Sequence, residues 1–117
     1  MYYNNYICHK LGKIENLKIK KNKSIELKKN EVRLKVLAIG LNYVDTLMIK
    51  GDYQYKNKLP FVPGTEACGI IIEENCNDVK LLNRKAIIFS KNGCFSEETT
   101  TNISQLILLE KKFSTID

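Results

Sequence analysis

The segment from Gly40 to Gly69, GLNYVDTLMIKGDYQYKNKLPFVPGTEACG, constrains the fold of this chain more than any other. The hydrophobic period changes as the chain enters it. Just upstream, Val32, Leu34 and Val36 alternate with Arg33 and Lys35, the period-two pattern of a half-buried strand. Leu37, Ala38 and Ile39 are apolar in succession, which predicts that the strand runs on into burial on both faces. Val44, Leu47 and Met48 then fall at helical spacing, with Asp45 and Lys50 off that stripe. Asn42 suits the N-cap of this helix, because its side-chain oxygen can accept an orphan amide. Asp45 would sit in the first turn, where the helix dipole favours negative charge. Gly51 suits the helix end. A loop over 52–64, marked by Pro60, Pro63 and Gly64, leads to a strand from Ala67 to Ile72. Gly69 within that strand signals a bulge or a close backbone approach.

The flanking sequence is a series of short strands. Residues 6–9 and 17–20 flank a turn near Gly12, and 21–30 reads as polar loop with a brief extended piece at Ser24–Leu27. Asn75–Asn83 is a polar turn region, followed by strands at 86–89, 95–101 and 106–109. Short strands separated by turn signals predict a mainly β fold, a small antiparallel barrel or sandwich, with one or two short helices. The 117 residues are one domain's worth of chain. The ending Phe113-Ser114-Thr115-Ile116-Asp117 contains S-x-x-D, the pattern of a capping box. It predicts that the domain stops at the start of a helix leading elsewhere.

Composition removes several functions. The net charge of +6 rests on 17 Lys against 2 Arg, and the Lys cluster KIKKNKSIELKK (Lys18–Lys29) contains no aromatic residue. Nucleic-acid sites favour Arg forks and stacking aromatics, so the expectation is a solvated surface and no nucleic-acid partner. No apolar run approaches the roughly 20 residues of a membrane span. The N-terminus MYYNNYICHK has neither the apolar core of a secretory signal nor the character of a transit peptide. Cys8, Cys68, Cys76 and Cys94 form no C-x-x-C pair, and the single histidine, His9, would face away from Cys8 on a strand. Buried thiols at Cys68 and Cys94, reduced cysteines and a cytoplasmic setting follow as expectations.

These segments resemble the medium-chain dehydrogenase/reductase superfamily, and most closely its zinc-independent quinone oxidoreductase branch. YICHKLGKIENLKI is similar to the family's opening hairpin and EVRLKVLAIGLN to its central strand. GLNYVDTLMIKGDY and LPFVPGTEACGIIIEE are similar to the helix and the following strand. RKAIIFSKNGCFSEETTTNISQLILL resembles the family's G-D-R-V, G-G-F-A-E-Y and final apolar strand. The resemblance implies a GroES-like, partly open β-barrel over residues 1–117. In the family a Rossmann domain follows, which binds NADPH or NADH. No G-x-G-x-x-G occurs in these 117 residues, so no Rossmann domain is expected among them.

The resemblance also implies a site. Zinc-dependent members carry Cys where this chain has Asn42, and His-Glu where it has Thr65-Glu66. An amide and a hydroxyl do not replace a thiolate and an imidazole, so no zinc is expected here. Without metal, a quinone or enone carbonyl must be polarised by hydrogen-bond donors. The family's pattern implies Asn42 as a positioning amide and Tyr53 as a substrate-site donor. Tyr43, Asp45 and Thr65 are further pocket-lining candidates, and Glu66 is left out. Each has a plainer reading: Asn42 and Asp45 as helix-capping residues, Tyr53 as a packing ring. Two functions remain open: the substrate-side domain of an NAD(P)H-dependent quinone or enone oxidoreductase, present as a fragment and inactive alone, or a stand-alone interaction module without catalysis. The latter would work with a separately encoded Rossmann domain or through self-association.

Overall fold

In the computed structural model, residues 1–54 and 57–110 are described. Seven strands and one α-helix follow each other along the chain: β1 (Tyr2–Cys8), β2 (Leu17–Lys23), β3 (Glu31–Gly40), α1 (Tyr43–Lys50), β4 (Glu66–Glu74), β5 (Lys85–Phe89), β6 (Glu98–Asn102) and β7 (Leu106–Leu108). Single 3-10 turns precede β2, β5 and β7. β1 and β2 form an antiparallel hairpin, and the other five strands form an antiparallel sheet in the order β6-β3-β4-β5-β7. The predicted mainly β fold is therefore found: a curled, partly open barrel with one helix.

Two apolar clusters hold it together. Val32, Leu34, Ala67, Ile71, Ala86, Ile88 and Cys94 pack inside the curl of the large sheet. Their alternation along β3, β4 and β5 is what the period-two pattern requires. Cys8, Met48 and Phe61 form a second cluster with Leu11, Leu17, Val44 and Tyr53, which seats α1 against the hairpin. The hairpin is also hydrogen-bonded to the body, Cys8 N–H to Phe61 C=O at 2.8 Å and Tyr6 N–H to Phe95 C=O at 2.9 Å. Gly69 fulfils its sequence signal: a Cβ there would lie 2.5 Å from the Lys35 carbonyl oxygen, and the β3–β4 register shifts between Val36 and Ala38.

Four expectations are corrected. Burial does not deepen beyond Val36; Leu37 and Ile39 are 42% and 41% exposed. The period-two alternation continues instead: Lys35, Leu37 and Ile39 share the exposed face, while Val36, Ala38 and Gly40 are half-buried. Arg33, expected on the solvent side, is only 5% exposed. It is covered by the 24–27 segment and donates to the Ile25 carbonyl and to Glu73, with Glu98 3.6 Å away. A buried charge persists when its partners are this many. The buried face of α1 is Asp45, Met48 and Ile49, turned from the predicted Val44–Leu47–Met48 stripe. The strand expected at 95–101 begins only at Glu98, because Phe95 and Ser96 bond sideways to the β1 strand. The capping pattern at Ser114–Asp117 lies outside the described residues.

Candidate functional site

The site begins at the junction of β3 and α1. The chain leaves β3 at Gly40 and enters the helix at Tyr43, with Asn42 at the N-cap in an extended conformation. The Asp45 carboxylate reaches back, and its Oδ2 accepts the Asn42 backbone N–H at 3.0 Å. This is the reciprocal half of a capping box. The Asn42 side chain also points across to the residue just before β4, the strand paired with β3. Its Nδ2 donates to Thr65 Oγ1 at 3.2 Å. The cap and the loop before β4 are thereby tied together.

Gly51 closes the helix in the left-handed region at φ 83°, its N–H on the Met48 carbonyl at 3.2 Å. Gly64 has the tighter requirement. Its φ is +106°, and a Cβ would lie 2.6 Å from the Phe95 ring and 2.9 Å from the Cys94 Cβ. Only glycine lets the PGTE turn press against the 94–95 segment and present Thr65 to Asn42.

Asp45 is 3% exposed, and its second oxygen, Oδ1, is buried without a hydrogen-bond partner. Cys94 is fully buried close by. Burial pushes its thiol up to about 11, and the negative charges of Asp45 and Glu66 push the same way. Glu66 lies over Gly40, where an added Cβ would collide with its carboxylate. Glu66 and Cys94 were not among the expected site residues; the structure sets Glu66 opposite Gly40 on the paired strand and within electrostatic reach of Cys94.

The expected site residues separate into two groups. Asn42, Asp45 and Thr65 come together, and the adjoining Leu41 and Tyr43 are each 77% exposed. Tyr53 does not join them. It lies past the C-terminal end of α1, and eight helical residues rise about 12 Å. Its ring packs on the cluster of Cys8, Met48 and Phe61. Among the described residues no three His, Cys, Asp or Glu side chains are grouped as a metal would require. What the first group offers is an exposed amide with one N–H held by Thr65 and a second N–H free to meet a ligand oxygen. Apolar surface flanks that amide.

Comparison with known proteins agrees with this architecture. Residues 28–84 match the alcohol dehydrogenase GroES-like domain family. The chain is 29% identical over 106 residues to the quinone oxidoreductase of Sus scrofa, covering 88% of this chain and 32% of that protein. It is 42% identical over 72 residues to the quinone oxidoreductase-like protein 2 homolog of Nematostella vectensis, covering 61% of this chain and 19% of the other. Its fold superposes on the Escherichia coli quinone oxidoreductase complexed with NADPH with a TM-score of 0.87, at 24% identity, over 96% of this chain and 35% of that one. The chain thus spans about a fifth to a third of the length of these relatives.

Proposed function

Because the chain belongs to the quinone-oxidoreductase-like medium-chain dehydrogenase/reductases as a GroES-like domain, we propose that it is the substrate-side domain of a zinc-free, NAD(P)H-dependent quinone or enone oxidoreductase. The observation carrying this reading is the Asn42–Thr65 hydrogen bond. It joins the two positions at which zinc-binding members of the superfamily place Cys and His. An amide and a hydroxyl bonded to each other make a donor platform rather than a metal-ligand pair.

In the proposed enzyme NADPH or NADH supplies the hydride, held by a nucleotide-binding domain of the same polypeptide or of a separately encoded partner. The residues present fit such an arrangement on their own evidence. The free Asn42 N–H points from an exposed position, flanked by Leu41 and Tyr43, surface suited to a flat ring. Asn42 donates to the substrate carbonyl, whose oxygen gains negative charge as hydride arrives. Thr65 fixes the rotamer of that amide, and Asp45 fixes its backbone. Tyr43 offers an exposed ring beside that amide. Tyr53 presents its hydroxyl to substrate only if the substrate extends along α1. The unpaired thiols fit a reducing, cytoplasmic setting.

The test is a graft. These 117 residues replace the matched part of the Escherichia coli enzyme, and NADPH-dependent reduction of 1,4-benzoquinone is measured. Turnover that falls at least about tenfold in Asn42→Ala supports the reading. A graft that folds and binds NADPH yet never reduces quinone overturns it and favours the interaction module.

A further inference from the structure

The first hairpin has one edge with no strand beside it. β1 pairs with β2 along all seven residues, and on its far side β1 bonds the body at Phe61, Phe95 and Ser96. Among the described residues β2 pairs with β1 alone, so the N–H and C=O groups of its outer edge are left open. The large sheet ends on β6 and β7, which are only five and three residues long. The seven residues of β2 make the longer edge. An edge of that length is a template for pairing with another chain.

Lysine occupies four of those seven positions, Lys18, Lys20, Lys21 and Lys23, and all four are exposed. Lys18 and Lys20 stand on one face of the hairpin, Lys21 and Lys23 on the other. Both faces of this strand therefore meet water. None of the four has a carboxylate within ion-pair distance among the described residues, and Lys21 lies over the Tyr2 ring at 5.0 Å. A second copy would lay its own β2 antiparallel along this edge, since a two-fold pair sets the same surface against itself. With the two strands fully overlapped, Lys20 faces Lys20 of the other copy. Shifted by one residue, Lys20 faces Lys21 and Lys18 faces Lys23. Like charges directly opposite each other disfavour a strand pair, and the net charge of +6 adds to the repulsion.

We propose that the four lysines of β2 are a guard on this open edge, which keep it from pairing with the β2 of a second copy. The backbone of the edge is competent to pair, and charge alone holds two copies apart. This inference stands apart from the redox reading and does not depend on it.

The experiment compares the 117-residue chain with two variants by sedimentation and by amide exchange. One carries Lys18→Thr, Lys20→Thr, Lys21→Thr and Lys23→Thr together; the other carries Lys→Glu at the same four positions. The parent chain should show no association through residues 17–23. The Thr variant loses the repulsion and keeps strand propensity, so it should self-associate. Amide exchange within 17–23 should then slow at least about tenfold in the associated form. The Glu variant should not associate with itself, yet should pair one-to-one with the parent chain and show the same slowing. That pair should dissolve at about 1 M salt, where charges are screened beyond about 3 Å. All four positions are exposed, so both variants should melt near the parent chain. If only one of the two variants folds, that one decides. Variants that stay monomeric alone and in the mixture, association without slowed exchange in 17–23, or a parent chain that already pairs through 17–23 at low salt each overturns the proposal.

Discussion

The side-chain amide of Asn42 donates a hydrogen bond to Thr65 Oγ1 across 3.2 Å, linking the start of α1 to the turn before β4. Asp45 holds the same residue from behind through its backbone N–H. Asn42→Ala removes a helix cap and one cross-element bond. It should lower stability by about 1–2 kcal/mol, read as a shift in the urea midpoint at constant slope. Thr65→Val should cost less, about 0.5–1.5 kcal/mol, because only the one bond is lost. Equal effects of the two would mean that Asn42 contributes nothing as a cap.

Excess zinc should leave the melting temperature of the chain unchanged. A ligand that binds only the folded state must raise it. A concentration-dependent rise would contradict the zinc-free reading at Asn42 and Thr65.

Gly64 and Gly93 both have positive φ, +106° and +103°, but only Gly64 lacks room. Gly64→Ala would place Cβ 2.6 Å from the Phe95 ring and 2.7 Å from its backbone nitrogen, whereas at Gly93 the nearest neighbour is 3.9 Å away. Gly93→Ala should cost about 1–2 kcal/mol for the left-handed backbone alone. Gly64→Ala should cost a further 1–3 kcal/mol of overpacking and displace Thr65 from Asn42. Calorimetry of the two variants separates the contributions.

Arg33 and Glu98 are both buried, 3.6 Å apart, and Ser24 also bonds the Glu98 carboxylate. Arg33→Ala leaves Glu98 buried with its cationic partner gone and should destabilise by about 3–5 kcal/mol. The double variant Arg33→Met/Glu98→Leu should lose less than the sum of its single substitutions. A strictly additive result would show that the pair is not coupled.

The thiol of Cys94 is raised from 9.0 to about 11, first by burial and then by Asp45 and Glu66. The unfolded chain gives up this proton at lower pH than the folded one. The stabilising contribution is therefore fully present below pH 9 and is lost as pH rises through 11. Its size is on the order of 2 kcal/mol. Cys94→Ala should flatten the stability curve between pH 9 and 11 relative to the parent chain. An unchanged slope would mean that the thiol is not shielded.

Much of this molecule was legible from local pattern. The alternation of Val32, Leu34 and Val36 located β3, and Asn42 and Gly51 bounded α1 correctly. Gly69 announced its close approach to Lys35. Arg33 was misread because alternation places a residue on a face without saying what covers that face. The covering residue, Ile25, lies only eight positions upstream, but nothing in the alternation says that the chain folds back there. Leu37 and Ile39 were misread for the opposite reason. Apolar side chains on both faces imply burial only if both faces are covered, and Leu37 and Ile39 continue the exposed face of Lys35.

The site divides in the same way. The residue types at 42 and 65 were fixed by the sequence alone, and with them the choice of amide and hydroxyl over thiolate and imidazole. Helix position and chemical character are local properties, set by neighbours within a turn or by the side chain itself. That Asn42 meets Thr65, that Glu66 lies over Gly40 beside a buried Cys94, and that Tyr53 packs at the far end of the helix were decided by tertiary structure. Those relations depend on how β3 and β4 register against each other and on which strand stops short. Both are set by packing between segments distant in sequence, which no short-range period encodes.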